Sequence, residues 1–204
     1  VHAAGDVGDE PLLLAGLAPT VIARDRAAGA RLLEGIGADC IVMDDGLQNP
    51  ALVPTLSFLV VDGATGVGNG HVIPAGPLRE PWDHALEKAG AVVVIGEDRA
   101  QVASLVADRR PILAARLEPA PSARELRDRR VYGFAGIGRP EKFRETLRDL
   151  GAEVVGFEAF DDHHPYQPLE IMALVERAVA RDAMLVTTAK DAARLPADAR
   201  AMVT

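Results

Sequence analysis

The stretch VYGFAGIGRPEKFRETLRDLGAEVVGF, residues 131–157, contains one complete unit of the predicted fold. Val131–Ala135 and Ala152–Phe157 are mainly apolar runs, which is typical of strands buried on both faces of a parallel sheet. Pro140–Leu150 lies between them and is predicted to be a helix. Two such strands joined through a helix predict a parallel β-α-β unit.

The same alternation of apolar runs and helical segments extends along the rest of the chain. Further strands are predicted at Thr20–Ala23, Cys40–Met43, Ser57–Val61, Ala91–Ile95 and Met184–Thr187, and further helices at Arg24–Gly37, Arg99–Asp108 and Pro168–Arg181. Gly63–Pro81 is rich in glycine and proline and is predicted to be a long loop, which in a compact domain is often functional. We therefore predict a doubly wound α/β fold with a mostly parallel sheet.

The segment Leu117–Asp128 combines prolines with charged residues and is predicted to be a connector. We predict a core α/β domain in residues 1–120. A C-terminal α/β portion, residues 121–204, is predicted to pack on this core or to complete it. The length of 204 residues is sufficient for one full domain with a smaller second part.

Composition and charge exclude several classes of protein. Apolar residues make up 49% of the chain and charged residues 25%, which indicates a folded protein with a sizeable core. The net charge of −8 argues against broad binding to nucleic acid, because such binding depends on neutralising many phosphates. Cys40 is the only cysteine, so no intrachain disulfide can form, and we predict that it is a small core residue. A cytosolic, reducing setting fits this cysteine content.

Two carboxylates, Asp44 and Asp45, directly follow the apolar run Cys40–Met43. Ligands of open α/β sheets bind outside the carboxyl ends of the strands. Acidic residues at such a place suit Mg²⁺, which takes oxygen ligands, and this is the position of the metal-holding Asp in P-loop nucleotide hydrolases. A plain Asp-Asp-Gly turn explains the same residues equally well.

Two further segments carry acids or histidines. Asp9 and Glu10 lie in Asp6–Pro11, a segment bounded by glycine and proline that is predicted to be a turn. His163 follows a predicted strand and stands beside carboxylates, so it suits a general base or its orienting partner. Capping of the helix that begins near Pro168 is the structural alternative for His163.

Candidate phosphate-binding residues occur near the ends of two predicted elements. Arg79, in the long loop, offers a planar fork of donors to a phosphate. Lys190 follows the last predicted strand and either reaches a phosphate or pairs with Asp191. The Walker A motif G-x-x-x-x-G-K-[ST] is absent from the 204 residues, since the nearest segment, residues 136–143, has Glu141 in place of the second glycine and Phe143 in place of the hydroxyl residue.

Several motifs, taken in order, resemble one family, the tetraacyldisaccharide 4'-kinases. The most specific pair is Asp-Asp-Gly-Leu-Gln at residues 44–48 with Pro-Ala-Gly-Pro-Leu-Arg-Glu at residues 74–80. Residues 7–11, 68–70, 135–140, 162–163 and 188–191 also match in the same order, so the resemblance covers nearly the whole chain.

The resemblance implies a P-loop-NTPase-like kinase that uses ATP and Mg²⁺ at the cytoplasmic face of the bacterial inner membrane. Such enzymes phosphorylate the 4'-hydroxyl of a lipid A precursor disaccharide. Carried over by position, Asp9 is the catalytic carboxylate and His163 its partner. The implied metal residues are Asp44, Asp45 and Glu80, and the implied substrate or phosphate contacts are Glu10, Gln48, Asn69, Arg79 and Lys190.

The chain begins at Val1 without an initiator methionine, and we expect it to be a fragment. The family's membrane-anchoring helix, which would contact the membrane surface, and its Walker A loop would both lie upstream, so the N-terminal part of the kinase domain is expected to be missing. We expect the 204 residues alone to be inactive. Two alternatives are a non-catalytic binding module derived from the kinase and a Mg²⁺-dependent phosphohydrolase.

Overall fold

The computed structural model describes residues 4–204, apart from the side chains of residues 121, 122 and 197. Its strands, in chain order, are β1 (Phe58–Asp62), β2 (Ala91–Ile95), β3 (Ile112–Ala115), β4 (Arg130–Ala135), β5 (Glu153–Ala159) and β6 (Met184–Val186). Its α-helices are α1 (Ala4–Val7), α2 (Asp9–Ala15), α3 (Arg26–Gly35), α4 (Trp82–Lys88), α5 (Val102–Val106), α6 (Pro140–Asp149), α7 (Pro168–Val179), α8 (Ala189–Arg194) and α9 (Ala197–Arg200). Short 3₁₀ helices occur at Ala107–Arg109 and Pro121–Leu126.

The described residues divide into two compact units. The central unit is Ala23–Glu118, and the terminal unit joins the residues up to Ile22 with Pro119–Thr204. The beginning of the chain thus belongs with its C-terminal part, a long-range grouping that local patterns do not encode. The assignment of a core kinase domain to residues 1–120 stays a prediction.

The central unit contains a parallel sheet in the order β1-β2-β3. β2 is the middle strand and is rich in valine, which suits a strand whose two faces are covered. Its Val92 and Val94 are buried together with Leu86 of α4 and with Val102 and Val106 of α5. This small apolar cluster is the core of the central unit.

The terminal unit contains a second parallel sheet, in the order β5-β4-β6. β4 lies in the middle, and its Phe134 is fully buried in a cluster with Leu174 of α7. A second cluster joins Val131 of β4 to Leu147 of α6. The loop that follows β4 therefore begins from a rigid, fully packed strand.

The structure confirms the parallel α/β class, and it shows the strands shared between two three-stranded sheets. The predicted strands near β1, β2, β4, β5 and β6 are present within two residues of their predicted ends. β3 was missing from the prediction. Among the described residues, no helix has the length and apolar character needed to cross a bilayer.

Three predictions made from short apolar runs are wrong. Thr20–Ala23 and Cys40–Met43 do not form strands, and Ile22 and Val42 are 54% and 89% exposed. Cys40, predicted to be a core residue, is exposed. A run of four apolar residues does not specify a pairing partner, and strand formation depends on such a neighbour more than on local propensity.

Candidate functional site

Asp9 is the first residue of α2 and is only 4% exposed. The predicted turn at Asp6–Pro11 is instead the junction of α1 and α2, and Gly8 between them has a φ of 87°, which glycine adopts without steric cost. Pro11 is compatible with this helix because it lies in the first turn, where a backbone N–H has no intrahelical partner. α2 packs against α8, so the carboxylate of Asp9 faces the interior of the terminal unit.

His163 lies beside Asp9, as the resemblance implies. Its Nδ1 is 3.4 Å from Oδ2 of Asp9, and its side chain is 62% exposed. The backbone of His163 has a φ of 59°, an uncommon conformation for a residue other than glycine. The N–H of His163 donates a 3.0 Å hydrogen bond to the carbonyl oxygen of Gly136. An exposed imidazole is thus held against a buried carboxylate.

The two oxygens of the Asp9 carboxylate differ in their surroundings. Oδ1 accepts a 3.1 Å hydrogen bond from the N–H of Glu10. Oδ2 is buried, and within the described part of the chain it accepts no hydrogen bond. Its charged neighbours are Nδ1 of His163 and Nε of Arg194, each at 3.4 Å. This oxygen is enclosed but has no hydrogen-bond donor of its own, so a proton from a bound hydroxyl can reach it through the exposed imidazole of His163.

Asp191 is a second, fully buried carboxylate near this pair. Its Oδ1 accepts hydrogen bonds from the N–H of Gly136 at 2.9 Å, the hydroxyl of Tyr166 at 2.7 Å and Nη2 of Arg194 at 2.8 Å. Its Oδ2 accepts a 2.5 Å hydrogen bond from the hydroxyl of Thr188. Burial, together with the hydrogen bond to Asp191, raises the pKa of Tyr166 far above its usual range.

Sequence reasoning missed the network formed by Asp191, Arg194 and Tyr166. The one local signal is the spacing Thr188-x-x-Asp191, which resembles a helix cap, and the hydroxyl of Thr188 does accept from the N–H of Asp191. The other contacts join residues far apart in the chain, such as Gly136 and Asp191, so a single sequence does not reveal them.

Lys190 and Glu10, two of the predicted phosphate contacts, form an ion pair with each other. The Nζ–Oε1 distance is 2.5 Å, and both side chains are about half exposed. The hydrogen bond to Glu10 raises the pKa of Lys190, so the amine is a cation at neutral pH. Lys190 does not pair with Asp191, the structural alternative considered from the sequence.

In the central unit, Asp45 pairs with Arg79 at 2.5 Å, and both side chains are mostly exposed. The hydrogen bond to Asp45 raises the pKa of Arg79. Asn69 organises its own loop, because its side chain donates to the carbonyl of Ala75 and accepts from the N–H of His71. Both polar groups of the Asn69 side chain are therefore used within the loop.

Glu80 is surrounded by donors. Its carboxylate accepts from Gln48 at 3.0 Å and Lys88 at 2.7 Å, and it lies 2.8 Å from Nδ1 of His84. Burial raises the pKa of Glu80, but the hydrogen bonds and charges of these neighbours outweigh that effect and lower it overall. The side chains of Gln48 and Glu80, both predicted site residues, are thus in direct contact.

The three predicted metal residues differ in how many contacts each must give up before it can bind a cation. Asp44 is exposed, and Asp45 can turn to a cation by giving up one exposed ion pair, which contributes little to stability. Glu80 would have to leave several donors at once, and its predicted contact with the metal stays a prediction. In residues 4–204, no group of three or more metal-ligating side chains forms a preformed site.

Comparison with known proteins identifies relatives over the whole chain. The family model described as tetraacyldisaccharide-1-P 4'-kinase matches residues 1–203. Proteins named tetraacyldisaccharide 4'-kinase are 57% identical in Rhodospirillum centenum and 56% identical in Methylorubrum extorquens strain PA1, over 99% of this chain. The alignments cover 60% and 62% of those proteins, so the chain spans about three fifths of the length of these curated relatives.

A solved structure is also similar. The crystal structure of LpxK from Aquifex aeolicus, described as an "apo" form in complex with ATP, superimposes with a TM-score of 0.70 at 27% identity. The match covers 96% of this chain and 62% of that one. The residues matched by the family model include Asp9, His163 and the acidic pair Asp44 and Asp45. The chain therefore belongs to the tetraacyldisaccharide-1-P 4'-kinase family.

Proposed function

We propose that the protein, in a form that also carries a Walker A loop, transfers the γ-phosphate of ATP to the 4'-hydroxyl of a tetraacyldisaccharide 1-phosphate in lipid A biosynthesis. Family membership supports the reaction class, and the ATP complex of the Aquifex aeolicus relative supports the donor. The observation that carries the proposal is the buried Oδ2 of Asp9, which lies 3.4 Å from the imidazole of His163.

In the proposed step, the oxygen of the 4'-hydroxyl attacks the γ-phosphorus of ATP. The new phosphorus–oxygen bond forms as the bond to the β,γ-bridging oxygen breaks, and ADP leaves with that electron pair. Because Oδ2 of Asp9 is enclosed, the hydroxyl proton passes to one ring nitrogen of the exposed His163, and the imidazole gives a proton from Nδ1 to Oδ2. Phosphoryl transfer needs mainly such positioning and charge neutralisation, with one group to accept the proton.

We propose that the exposed ion pairs are resting states of phosphate-binding groups. Lys190 and Arg79 are each held by one exposed carboxylate, Glu10 and Asp45, and exchanging that partner for a phosphate oxygen loses little energy. Arg79 presents a fork of donors that suits bidentate binding of a phosphate. Gln48 contacts Glu80, and Asn69 orders the loop that precedes Arg79, so we propose that both shape the site without holding these cations.

Magnesium is proposed to enter with the nucleotide, held by Asp44 and Asp45. When bound, the ion neutralises phosphate charge. We further propose that the enzyme works at the cytoplasmic face of the inner membrane, where its lipid substrate lies.

We also propose that residues 1–204 alone are inactive and bind ATP weakly. The reason is that these residues contain no Walker A sequence, the element whose backbone N–H groups and lysine hold the phosphates. Titration calorimetry with ATP tests this proposal directly, and a dissociation constant in the low micromolar range would contradict it.

The experiment that tests the proposed function compares Asp9→Ala with Asp149→Ala in a protein carrying the Walker A loop. Asp149 is an exposed carboxylate at the end of α6 and serves as the matched control. Loss of a general base is expected to lower kcat about 100- to 10,000-fold, whereas the control retains the wild-type value. The measurement is transfer of labelled phosphate to the tetraacyldisaccharide 1-phosphate. An unchanged kcat for Asp9→Ala would show that Asp9 is not the base.

A further inference from the structure

We infer that Arg194 is a positioning residue for phosphoryl transfer, because its guanidinium holds Asp9 and the backbone of His163 in their working arrangement. This inference rests on the proposed function of that pair. Arg194 is the last residue of α8, and its side chain is only 7% exposed. An arginine this deeply buried acts mainly on the groups that surround it.

The guanidinium contacts both members of the pair, one directly and one through the backbone. Its Nε lies 3.4 Å from Oδ2 of Asp9, the oxygen proposed to accept the proton. Its Nη2 donates a 2.8 Å hydrogen bond to the carbonyl oxygen of Gly136. The same carbonyl accepts from the N–H of His163 at 3.0 Å. The Gly136 carbonyl therefore couples the position of Arg194 to the unusual backbone conformation of His163.

Asp191 fixes the guanidinium in this position. Nη2 of Arg194 also donates to Oδ1 of Asp191 at 2.8 Å, and Asp191 is itself held by the N–H of Gly136 and the hydroxyl of Tyr166. The ring of Tyr166 lies 5.9 Å from the guanidinium carbon. Nε of Arg194 donates its hydrogen to the carbonyl oxygen of Lys190 at 3.3 Å, so its contact with Asp9 is one of charge. The hydrogen bonds to Asp191 and Lys190 hold the guanidinium beside the Asp9 carboxylate.

Arg194 acts on Asp9 through its positive charge, and this distinguishes the positioning role from a general contribution to packing. Oδ2 of Asp9 accepts no hydrogen bond among the described residues, so on that side the carboxylate is oriented by charge, through His163 and Arg194. The His163 side chain is 62% exposed, whereas the Arg194 side chain is 7% exposed and bonded to Asp191. Arg194 is thus the more firmly fixed of the two charged neighbours of the carboxylate.

The test is a double-mutant cycle between Arg194→Gln and Asp9→Ala in the protein that carries the Walker A loop. Arg194→Gln is expected to lower kcat about 10- to 100-fold with an unchanged KM for ATP, because a small misplacement of a reacting group has an effect of that size. In the Asp9→Ala background the same substitution is expected to lower kcat by less than twofold, since residues that act as a unit are not additive.

Arg200→Gln is the matched control. Arg200 also donates to backbone carbonyls in this region, those of Ala193 and Leu195, on either side of Arg194. Its substitution is expected to leave kcat unchanged. Thermal unfolding of each variant measures its folding separately. If Arg194→Gln does not fold, Arg194→Lys takes its place, with kcat expected about tenfold lower because an ammonium cannot reproduce the fork of donors.

The outcomes are distinct. An active Arg194→Gln beside an inactive Asp9→Ala would overturn this inference and leave the proposed function standing. An additive loss in the double mutant would assign Arg194 a separate, structural contribution and also overturn it. A wild-type protein without kinase activity, or an Asp9→Ala variant that keeps its kcat, would overturn the proposed function and this inference with it.

Discussion

Replacing Asp191 with alanine tests how much the buried network stabilises the terminal unit. The side chain is fully buried and accepts hydrogen bonds from four residues, Gly136, Tyr166, Thr188 and Arg194. The substitution leaves the Arg194 guanidinium next to a void in place of its anion. Removing one partner of a buried ion pair costs about 3–5 kcal/mol, and each neutral donor left buried without an acceptor costs about 1–3 kcal/mol.

Because the freed donors relax together and the guanidinium retains its contacts with carbonyl groups, we expect a total loss near 4 kcal/mol rather than the sum of these values. Asp191→Asn keeps the shape and one acceptor oxygen, so we expect about half that loss. For a unit of this size the urea m-value is about 1.5 kcal/mol/M, so a loss of about 4 kcal/mol in Asp191→Ala lowers the unfolding midpoint by about 2.7 M.

The chain offers a separate spectroscopic probe for each unit. The two tyrosines, Tyr132 and Tyr166, lie in the terminal unit, and the single tryptophan, Trp82, lies in the central unit. The assay follows tyrosine and tryptophan fluorescence through a urea titration, with Asp149→Ala as the exposed control. A tyrosine midpoint within 0.5 M of the wild type for Asp191→Ala, a bound of about 0.75 kcal/mol, would refute the energetic role assigned to the network.

Two further predictions concern the same region. Gly136→Ala places a Cβ 2.9 Å from the carbonyl oxygen of Asp161 and 3.0 Å from the hydroxyl of Tyr166, so we expect the free energy of unfolding, measured by chemical denaturation, to fall by about 1–3 kcal/mol. In the control Gly138→Ala the nearest atom is 3.5 Å from the new Cβ, and the unfolding midpoint should not change. The pKa of Glu170 is lowered mainly by the hydrogen bond from the N–H of Gln167 and next by the hydrogen bond to His164. The ionised Glu170 therefore stabilises the fold fully above the ordinary glutamate pKa of about 4.3, and this stabilisation is lost as the pH falls below that value. Thermal unfolding from pH 3 to pH 7 should therefore show a smaller pH dependence for Glu170→Gln than for the wild type, and identical slopes would contradict the assignment.

Those parts of the fold whose signal is local were predictable from the sequence. The β4-α6-β5 unit was predicted with nearly correct boundaries because long apolar runs and a helix of ten residues carry their own pattern. β3, with all of its residues exposed, offers no comparable signal of burial. The sequence predicts a turn where α2 begins, because Gly8 and Pro11 are typical turn residues. Both residues are also compatible with the start of a helix, which is what the structure contains.

The candidate site was predictable only where a family resemblance supplied the pairing. Asp9 and His163 are 154 residues apart, and no spacing rule in a single sequence places them 3.4 Å from each other. Arg194 was missed for the same reason, since its acidic partner Asp9 belongs to the opposite end of the chain. Arginine near a helix C-terminus is ordinarily explained by the helix dipole, which hid its contact with the carboxylate.

The described part of the terminal unit contains two buried carboxylates, and their hydrogen bonding supports the proposal that Asp9, not Asp191, takes part in chemistry. Asp191 has both oxygens occupied by donors at 2.5–2.9 Å, so protonating it would require breaking bonds that hold Gly136, Tyr166 and Arg194 in place. Asp9 has one oxygen without any hydrogen bond from the described residues. A proton can be added there without displacing a donor. The same arginine contacts both acids, so the hydrogen-bonded Asp191 helps to hold the proposed base, Asp9, in place.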